Sequence, residues 1–362
     1  MVSKACVVGA YQRKLEELVR FPGVELLVAV PPYWQDGKGI LPLERAYTSG
    51  YELRVLPMVF NGSFHLHLYR GLDELVRRWQ PEIMHIDEEP YNLATFQAMR
   101  SAQRHGARAL FFTWQNLLRR YPFPFSYFER YNLAHAACAI AGNQEAQDVL
   151  RAKGYGGVIH LLPQFGVDPA LYRPERPPRA APVFVIGYIG RLVEEKGVHL
   201  LLQAVAELDG EWMLKLVGSG PYAGRLRALC AQLGIEKRVV WVGRLPSAEM
   251  PRTLNEMDVL VLPSLTRSNW KEQFGRILIE AMACEVPVVG SSSGEIPHLI
   301  ADAGLVFPEG DAGALRDALG KLMRGPELRL ELGRKGRTRV LAHYTQGQVA
   351  AETYAIYRGL QP

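Results

Sequence analysis

The chain has 362 residues, 48% hydrophobic and 22% charged, with a formal net charge of +5. That is an ordinary globular composition at a length better divided between two domains than gathered around one core. The charge excess is too small for a nucleic-acid-binding protein and suits an anionic ligand or an acidic membrane surface, and no apolar run reaches the roughly 18 residues of a membrane span.

In chain order, MVSKACVVGAYQRK turns polar too soon for a signal peptide. Within it ACVVGA reads as a first strand, followed by the amphipathic RKLEELVRF and a second strand in VELLVAVPP. IMHID, the helix-like NLATFQAMRSAQRHG and ARALFFTW continue the rhythm, which predicts a parallel sheet covered by helices. PQFGVDPALYRPERPPRAAP then carries six prolines and is the expected linker.

The alternation restarts with VFVIGYIGR, KGVHLLLQAVAEL, MLKLVGSG, RLRALCAQLG, VVWVGR and DVLVLPS. The fold class is therefore α/β, two Rossmann-like domains facing a cleft, with ligands beyond the carboxyl ends of the strands. We expect residues 1–170 to form the first domain and 171–342 the second, with 343–362 a helix crossing back. Cys6, Cys138, Cys230 and Cys284 form no CxxC pair; free thiols and a cytoplasmic location are expected.

Three stretches carry chemistry. In LKLVGSGPYAG, Gly218, Gly220 and Ala223 nearly fit the dinucleotide fingerprint, but Pro221 alters the turn and no acid ends the next strand. Either a tight turn or a ligand explains these glycines. In YIGRLVEEKGVHLLLQA, a strand ends at Gly190, and Arg191 and Lys196 flank a loop leading into a helix, a physical site for a diphosphate. The alternative is a solvated loop pairing those cations with Glu194 and Glu195.

The third stretch is NWKEQFGRILIEAMACEVPVVGSSSGEIP. Eight helical steps turn through roughly 800°, so Glu272 and Glu280 share no face of one helix. Glu272 belongs in the loop, Gly275 turns the chain, and Ile277, Leu278, Ala281 and Met282 form the buried stripe. Glu280 lies amid that stripe, where a carboxylate needs a partner. Ribose hydroxyls or a nearby arginine would serve.

Together the Glu272-x7-Glu280 spacing, GRLVEEKG, LVGSGP and LLPQFGVDPALYRP, over roughly residues 160 to 310, resemble the retaining glycosyltransferases of family 4, which have the GT-B fold. The resemblance implies that Arg191 and Lys196, beside Gly190, bind the diphosphate of a nucleoside-diphosphate sugar and that Glu280 binds its ribose. Glu272 would hold the transferred sugar, Phe274, Gly275 and Arg276 cap the phosphates, and Arg244 and Leu245 lie against the base. Gly218 and Gly220 would form the donor-side turn. No DxD signature is present, so the resemblance implies no metal and no cofactor beyond the donor. It also implies front-face transfer in which the donor's phosphate oxygen helps deprotonate the acceptor.

The first half departs from that pattern. In LFFTWQN, Gln115 stands where the family often has a histidine, and Gln115 cannot carry a proton. His85, Glu88 and Glu89 in IMHIDEEPYN are the titratable candidates there, and the DEEP and TWQN stretches resemble a bacterial subgroup. GAYQRK replaces a common Gly-Gly loop, leaving Gly9 and Arg13, with Lys14, to reach phosphates or acceptor. Glu285 replaces a usual glycine. LLRRYPFPFSYFERYN, with Arg119 and Arg120, fits a lipid-linked acceptor or the inner face of a membrane, or packs its aromatics on its own domain. The acceptor is a glycan, a lipid-linked sugar or a small molecule. Rival readings are another GT-B enzyme, an epimerase or sugar-phosphate synthase, and a non-catalytic nucleotide-sugar binder. One segment carrying both glutamates argues against a glycoside hydrolase.

Overall fold

The computed structural model describes residues 1–36, 39–175 and 183–361. Residues 176–182 of the expected linker therefore lie outside the described residues. The chain divides into two compact units, Met1–Gly166 with Gln346–Pro362, and Val167–Thr345.

In the first unit, strands Ile83–Ile86, Arg108–Thr113, Cys138–Ala141 and Val158–Leu161 lie parallel in chain order. Leu27–Val30 pairs in parallel with Glu52–Val55. Val2 bridges Ala29 on one side and Ile86 on the other, joining both groups. The runs ALFFT and CAIA are continuously buried, as expected of parallel strands with both faces covered.

The first strand differs from expectation. Ala5–Val7 and Gly9–Gln12 are 3-10 turns, and Val2 alone holds the strand position. Ser3 Oγ accepts from Cys6 N at 3.3 Å and Val8 N donates to the Ala5 carbonyl at 3.1 Å, which curls the chain. Cys6 and Val7 are buried in that turn, so their apolar character serves packing, which periodicity alone does not distinguish from a strand. Helix Gln346–Gly359 belongs to this unit, and its Ala350 and Tyr354 pack with Leu15 and Leu18 of helix Arg13–Leu18.

The second unit holds six parallel strands in the spatial order Val239–Gly243, Trp212–Val217, Phe184–Ile189, Val259–Leu262, Val288–Ser291, Leu305–Phe307. Counted along the chain this is the doubly wound order 3-2-1-4-5-6, which reverses between Phe184–Ile189 and Val259–Leu262. Among the described residues no helix is long and apolar enough to cross a membrane.

Candidate functional site

The loops leaving the two strands at that reversal carry most of the residues singled out in the second half. After Ile189 come Gly190 and Arg191, a 3-10 turn Glu194–Lys196, and Gly197 at φ +66° opening helix Val198–Ala206. A Cβ on Gly197 would stand 1.9 Å from the Pro263 carbonyl oxygen, so this loop packs directly on the one following Leu262.

Backbone contacts lace the neighbouring strand ends together. Gly190 N donates to the Val217 carbonyl at 2.9 Å, and Gly218 N to the Gly243 carbonyl at 2.6 Å. Gly218 has φ +138°, and a Cβ there would stand 1.9 Å from the Gly190 oxygen; one on Gly220 would stand 2.2 Å from the Leu192 oxygen. Close backbone approach accounts for both glycines. Arg244 Nε donates to Ser219 Oγ at 2.8 Å, and Leu245 packs half-buried on the core, so the Gly190, Gly218 and Arg244 segments share one corner.

Glu272 is 7% exposed in the loop before helix Arg276–Ala283. Its Oε2 accepts from Lys196 Nζ at 2.5 Å and from Ser264 Oγ at 2.8 Å. The Lys196 ammonium also lies 5.0 Å from the Trp270 ring centroid. The Glu272 carbonyl accepts from Glu295 N at 3.2 Å, where Gly294 leaves no room for a Cβ. Lys196 therefore turns to Glu272, and Glu194 takes Arg267 at 2.9 Å. Half-exposed Arg191 stands 3.9 Å from Glu195.

Gly275, at φ +80°, turns the chain from Phe274 into the helix. One turn on, buried Glu280 is ion-paired with Arg276, its Oε1 2.7 Å from Nε. Burial pushes the Glu280 carboxyl up, against Arg276 and a hydrogen bond from Tyr172. The arginine-paired alternative thus describes Glu280 as it stands, with a tyrosine from the VDPALYRP stretch as second partner.

In the first unit, Asp87, Glu88 and Glu89 follow strand Ile83–Ile86. Asp87 accepts from Ser3 Oγ at 2.6 Å and Gln164 Nε2 at 2.8 Å. Glu88 is buried and ion-paired with Lys4, with His67 at 3.4 Å and the Tyr69 hydroxyl at 3.3 Å. Burial alone would raise Glu88, but Lys4 and His67 outweigh it and hold the carboxyl at about 2. Glu89 accepts from Thr113 Oγ at 2.6 Å and Trp114 N at 2.9 Å.

Gln115 sits beside this pair, its N donating to Thr113 Oγ at 3.0 Å and its Oε1 accepting from Lys153 Nζ at 3.2 Å. His85 does not join the acids. Its buried Nδ1 stands 2.7 Å from the Tyr357 hydroxyl, and burial drives its pKa well below the usual imidazole value. Alternation along the strand sends its ring into the sheet's covered face. Gly9 N donates to Glu44 Oε2 at 2.6 Å, and Arg13 pairs with Glu16 at 3.0 Å and Glu17 at 2.9 Å, so both are engaged locally.

Sequence reasoning missed Lys4, Lys153, Ser264 and Tyr172, the partners of Glu88, Gln115, Glu272 and Glu280. Each is distant in the chain or lies in a stretch with no chemical motif. Among the described residues no group of three or more His, Cys, Asp or Glu is arranged to hold a metal ion.

Comparison with known proteins matches residues 174–339 to the family described as Glycosyl transferases group 1. The chain is 33% identical over 213 residues to the GDP-mannose-dependent alpha-(1-6)-phosphatidylinositol monomannoside mannosyltransferase of Mycolicibacterium smegmatis, covering 53% of this chain and 55% of that one. It is 37% identical over 164 residues to the putative colanic acid biosynthesis glycosyltransferase WcaL of Escherichia coli, covering 43% and 40%. The chain thus spans about half the length of the curated relatives it matches. Among solved structures, a glycosyltransferase from Rickettsia africae superposes with a TM-score of 0.77 at 16% identity, covering 99% of this chain and 97% of the other. HepE of Anabaena, in complex with UDP, gives 0.73 at 17% identity over 99% and 98%.

Proposed function

We propose that the chain, which has the GT-B fold and matches the glycosyl transferases group 1 family over residues 174–339, is a retaining glycosyltransferase using a nucleoside-diphosphate sugar. The observation that carries this reading is the Lys196–Glu272 pair at the strand-order reversal, beside the Gly190–Arg191 turn and the start of helix Arg276–Ala283. There Arg191, Lys196 and the N–H groups from Phe274 to Arg276 offset the charge that develops as the diphosphate leaves. Glu272 orients the transferred sugar and Glu280 the ribose, while Arg244 and Leu245 lie near the base.

The acceptor's hydroxyl oxygen bonds to the anomeric carbon on the face from which the diphosphate departs, the broken carbon–oxygen bond leaves its electron pair on the diphosphate, and the hydroxyl proton passes to an oxygen of the departing diphosphate. We assign the acceptor, a glycan, a lipid-linked sugar or a small molecule, to the first unit around Glu88, Glu89 and Gln115. Exposed Leu118 and Phe123, at 64% and 81%, beside Arg119 and Arg120 support contact with an anionic lipid surface. The transfer needs no metal, so a chelator should leave the rate unchanged. The relatives' printed names include both GDP-mannose and UDP, so the base stays open.

The test is nucleoside-diphosphate release from a panel of UDP-, GDP- and ADP-sugars, with product anomers followed by NMR. Release from one donor with the anomeric configuration kept is expected. An epimerised donor would favour an epimerase, and binding without turnover a non-catalytic binder.

A further inference from the structure

Within the second unit, Lys196 has a partner besides Glu272. Its ammonium lies over the Trp270 ring, 5.0 Å from the centroid. Of the aromatic side chains, indole attracts a cation most strongly. The lysine is thus held between a carboxylate at 2.5 Å and a neutral π face, in a nearly buried setting. Assigning Lys196 to the diphosphate and Glu272 to the sugar gives this indole no part in the site.

Trp270 is fixed to the lysine's own loop. It closes a turn with Arg267, whose N donates to the Trp270 carbonyl at 2.7 Å and whose carbonyl accepts from Trp270 N at 3.2 Å. Arg267 pairs with Glu194 at 2.9 Å, and Leu265 N donates to the Glu195 carbonyl at 2.8 Å. From the other side, Thr266 N donates to Glu309 Oε2 at 2.8 Å, and Thr266 Oγ stands 3.0 Å from Ser293 Oγ. The indole is carried on a braced turn, with the Lys196 ammonium against its face.

We infer that Trp270 is a positioning residue for donor binding, its indole face keeping the Lys196 ammonium at the site as the lysine exchanges the Glu272 carboxylate for the donor's diphosphate. This rests on the transferase reading and deepens it. A nearly buried ammonium pulled from its carboxylate loses one charge partner before it gains the next. A ring face stabilises the cation throughout that exchange, and with no net charge it does not compete with the phosphate for it. Lysine also has a long, flexible stem. Holding its head against a fixed ring lowers the ordering cost when the diphosphate arrives. Glu272 keeps the Ser264 hydroxyl at 2.8 Å when the lysine turns away, so the exchange strands neither member of the pair.

The experiment measures dissociation constants of UDP, GDP and ADP by titration calorimetry, using the nucleotide that binds wild type for all comparisons. Trp270→Leu, Trp270→Phe, Lys196→Met and the double variant Trp270→Leu with Lys196→Met complete a cycle that reads coupling between the two side chains. Trp270→Leu should weaken binding at least threefold, within the range of about two- to thirtyfold that a cation–π contact supplies. Trp270→Phe, which keeps a ring face, should recover most of that loss. In the Lys196→Met background, Trp270→Leu should cost nothing further. If Trp270→Leu does not fold, Trp270→Met, which also lacks a ring, takes its place; if Lys196→Met binds too weakly to titrate, the contrast between leucine and phenylalanine at 270 decides. An undiminished affinity in Trp270→Leu, a Trp270→Phe as weak as Trp270→Leu, or the same loss with and without the lysine overturns this inference and leaves the transferase reading standing. A folded wild type that binds none of the three nucleotides overturns the transferase reading and this inference with it.

Discussion

Lys196 Nζ and Glu272 Oε2, on residues 76 apart in sequence, stand 2.5 Å from each other where the strand order of the second unit reverses. The glutamate is nearly buried and takes Ser264 as its other partner. Breaking such a pair from one side leaves a charge without its counterion, at a cost of about 3–5 kcal/mol in a fully buried setting. Lys196→Ala is expected to lose more than tenfold in turnover, about 1.4 kcal/mol or more at the barrier, and to lower stability in a denaturant titration. The double variant Lys196→Met with Glu272→Leu should recover part of the stability and none of the activity. Normal turnover in Lys196→Ala would remove the residue from the mechanism.

Glu280 separates binding from folding. Its carboxylate is paired with Arg276, whose side chain is 32% exposed and can turn to water. Glu280→Ala should therefore keep the fold with a modest loss of melting temperature. Nucleotide affinity should fall at least tenfold by titration calorimetry. Unchanged affinity would leave Glu280 as a helix carboxylate and nothing more.

Gly218 tests the packing of the strand ends. At φ +138°, with a would-be Cβ 1.9 Å from the Gly190 oxygen, it has neither the conformation nor the space for a side chain. Gly218→Ala should cost about 2 kcal/mol or more and weaken nucleotide binding as the Gly190 turn shifts. Gly156, where a Cβ meets nothing within 4 Å, is the control; Gly156→Ala should be near neutral by thermal melting.

Glu88 gives an acid-side signature. Its folded pKa is held near 2, below the ordinary carboxylate value. The stability it contributes is present above the unfolded value and is lost as pH falls through the folded one. Lys4→Met should lower stability by about 3–5 kcal/mol at pH 7. The difference from wild type should shrink as pH falls toward 2. A gap independent of pH would mean that Lys4 acts through packing, for instance against Trp34 and Phe64.

The second unit's strands were readable because parallel strands covered on both faces give apolar runs such as VFVIGYI and DVLVL, punctuated by glycines. The loop position of Glu272 followed from helix geometry and the glycine at 275. The failure at ACVVGA has the opposite cause: a buried 3-10 turn and a buried strand need the same residues. The short antiparallel pairs Tyr33–Asp36 with Gly39–Pro42, and Met58–Val59 with Leu68–Tyr69, carry no alternating pattern long enough to read. A nearby arginine was one of the two partners expected for Glu280, and Arg276, at i−4, is the one observed. Lys4 and Lys196 were not visible as partners of Glu88 and Glu272, because crossover connections bring together strand ends that sequence spacing does not relate.

The most direct test of the account is a thermal-shift titration of the purified protein with UDP, GDP and ADP, repeated with Arg191→Ala. A ligand that binds the folded state raises its apparent stability by mass action, about 2.7 kcal/mol at a hundred times the dissociation constant. The account predicts a clear rise with one of the three nucleotides, reduced in the Arg191→Ala protein. No rise with any of them at millimolar concentration, in protein that melts cooperatively, would contradict a nucleotide-sugar site in the second unit.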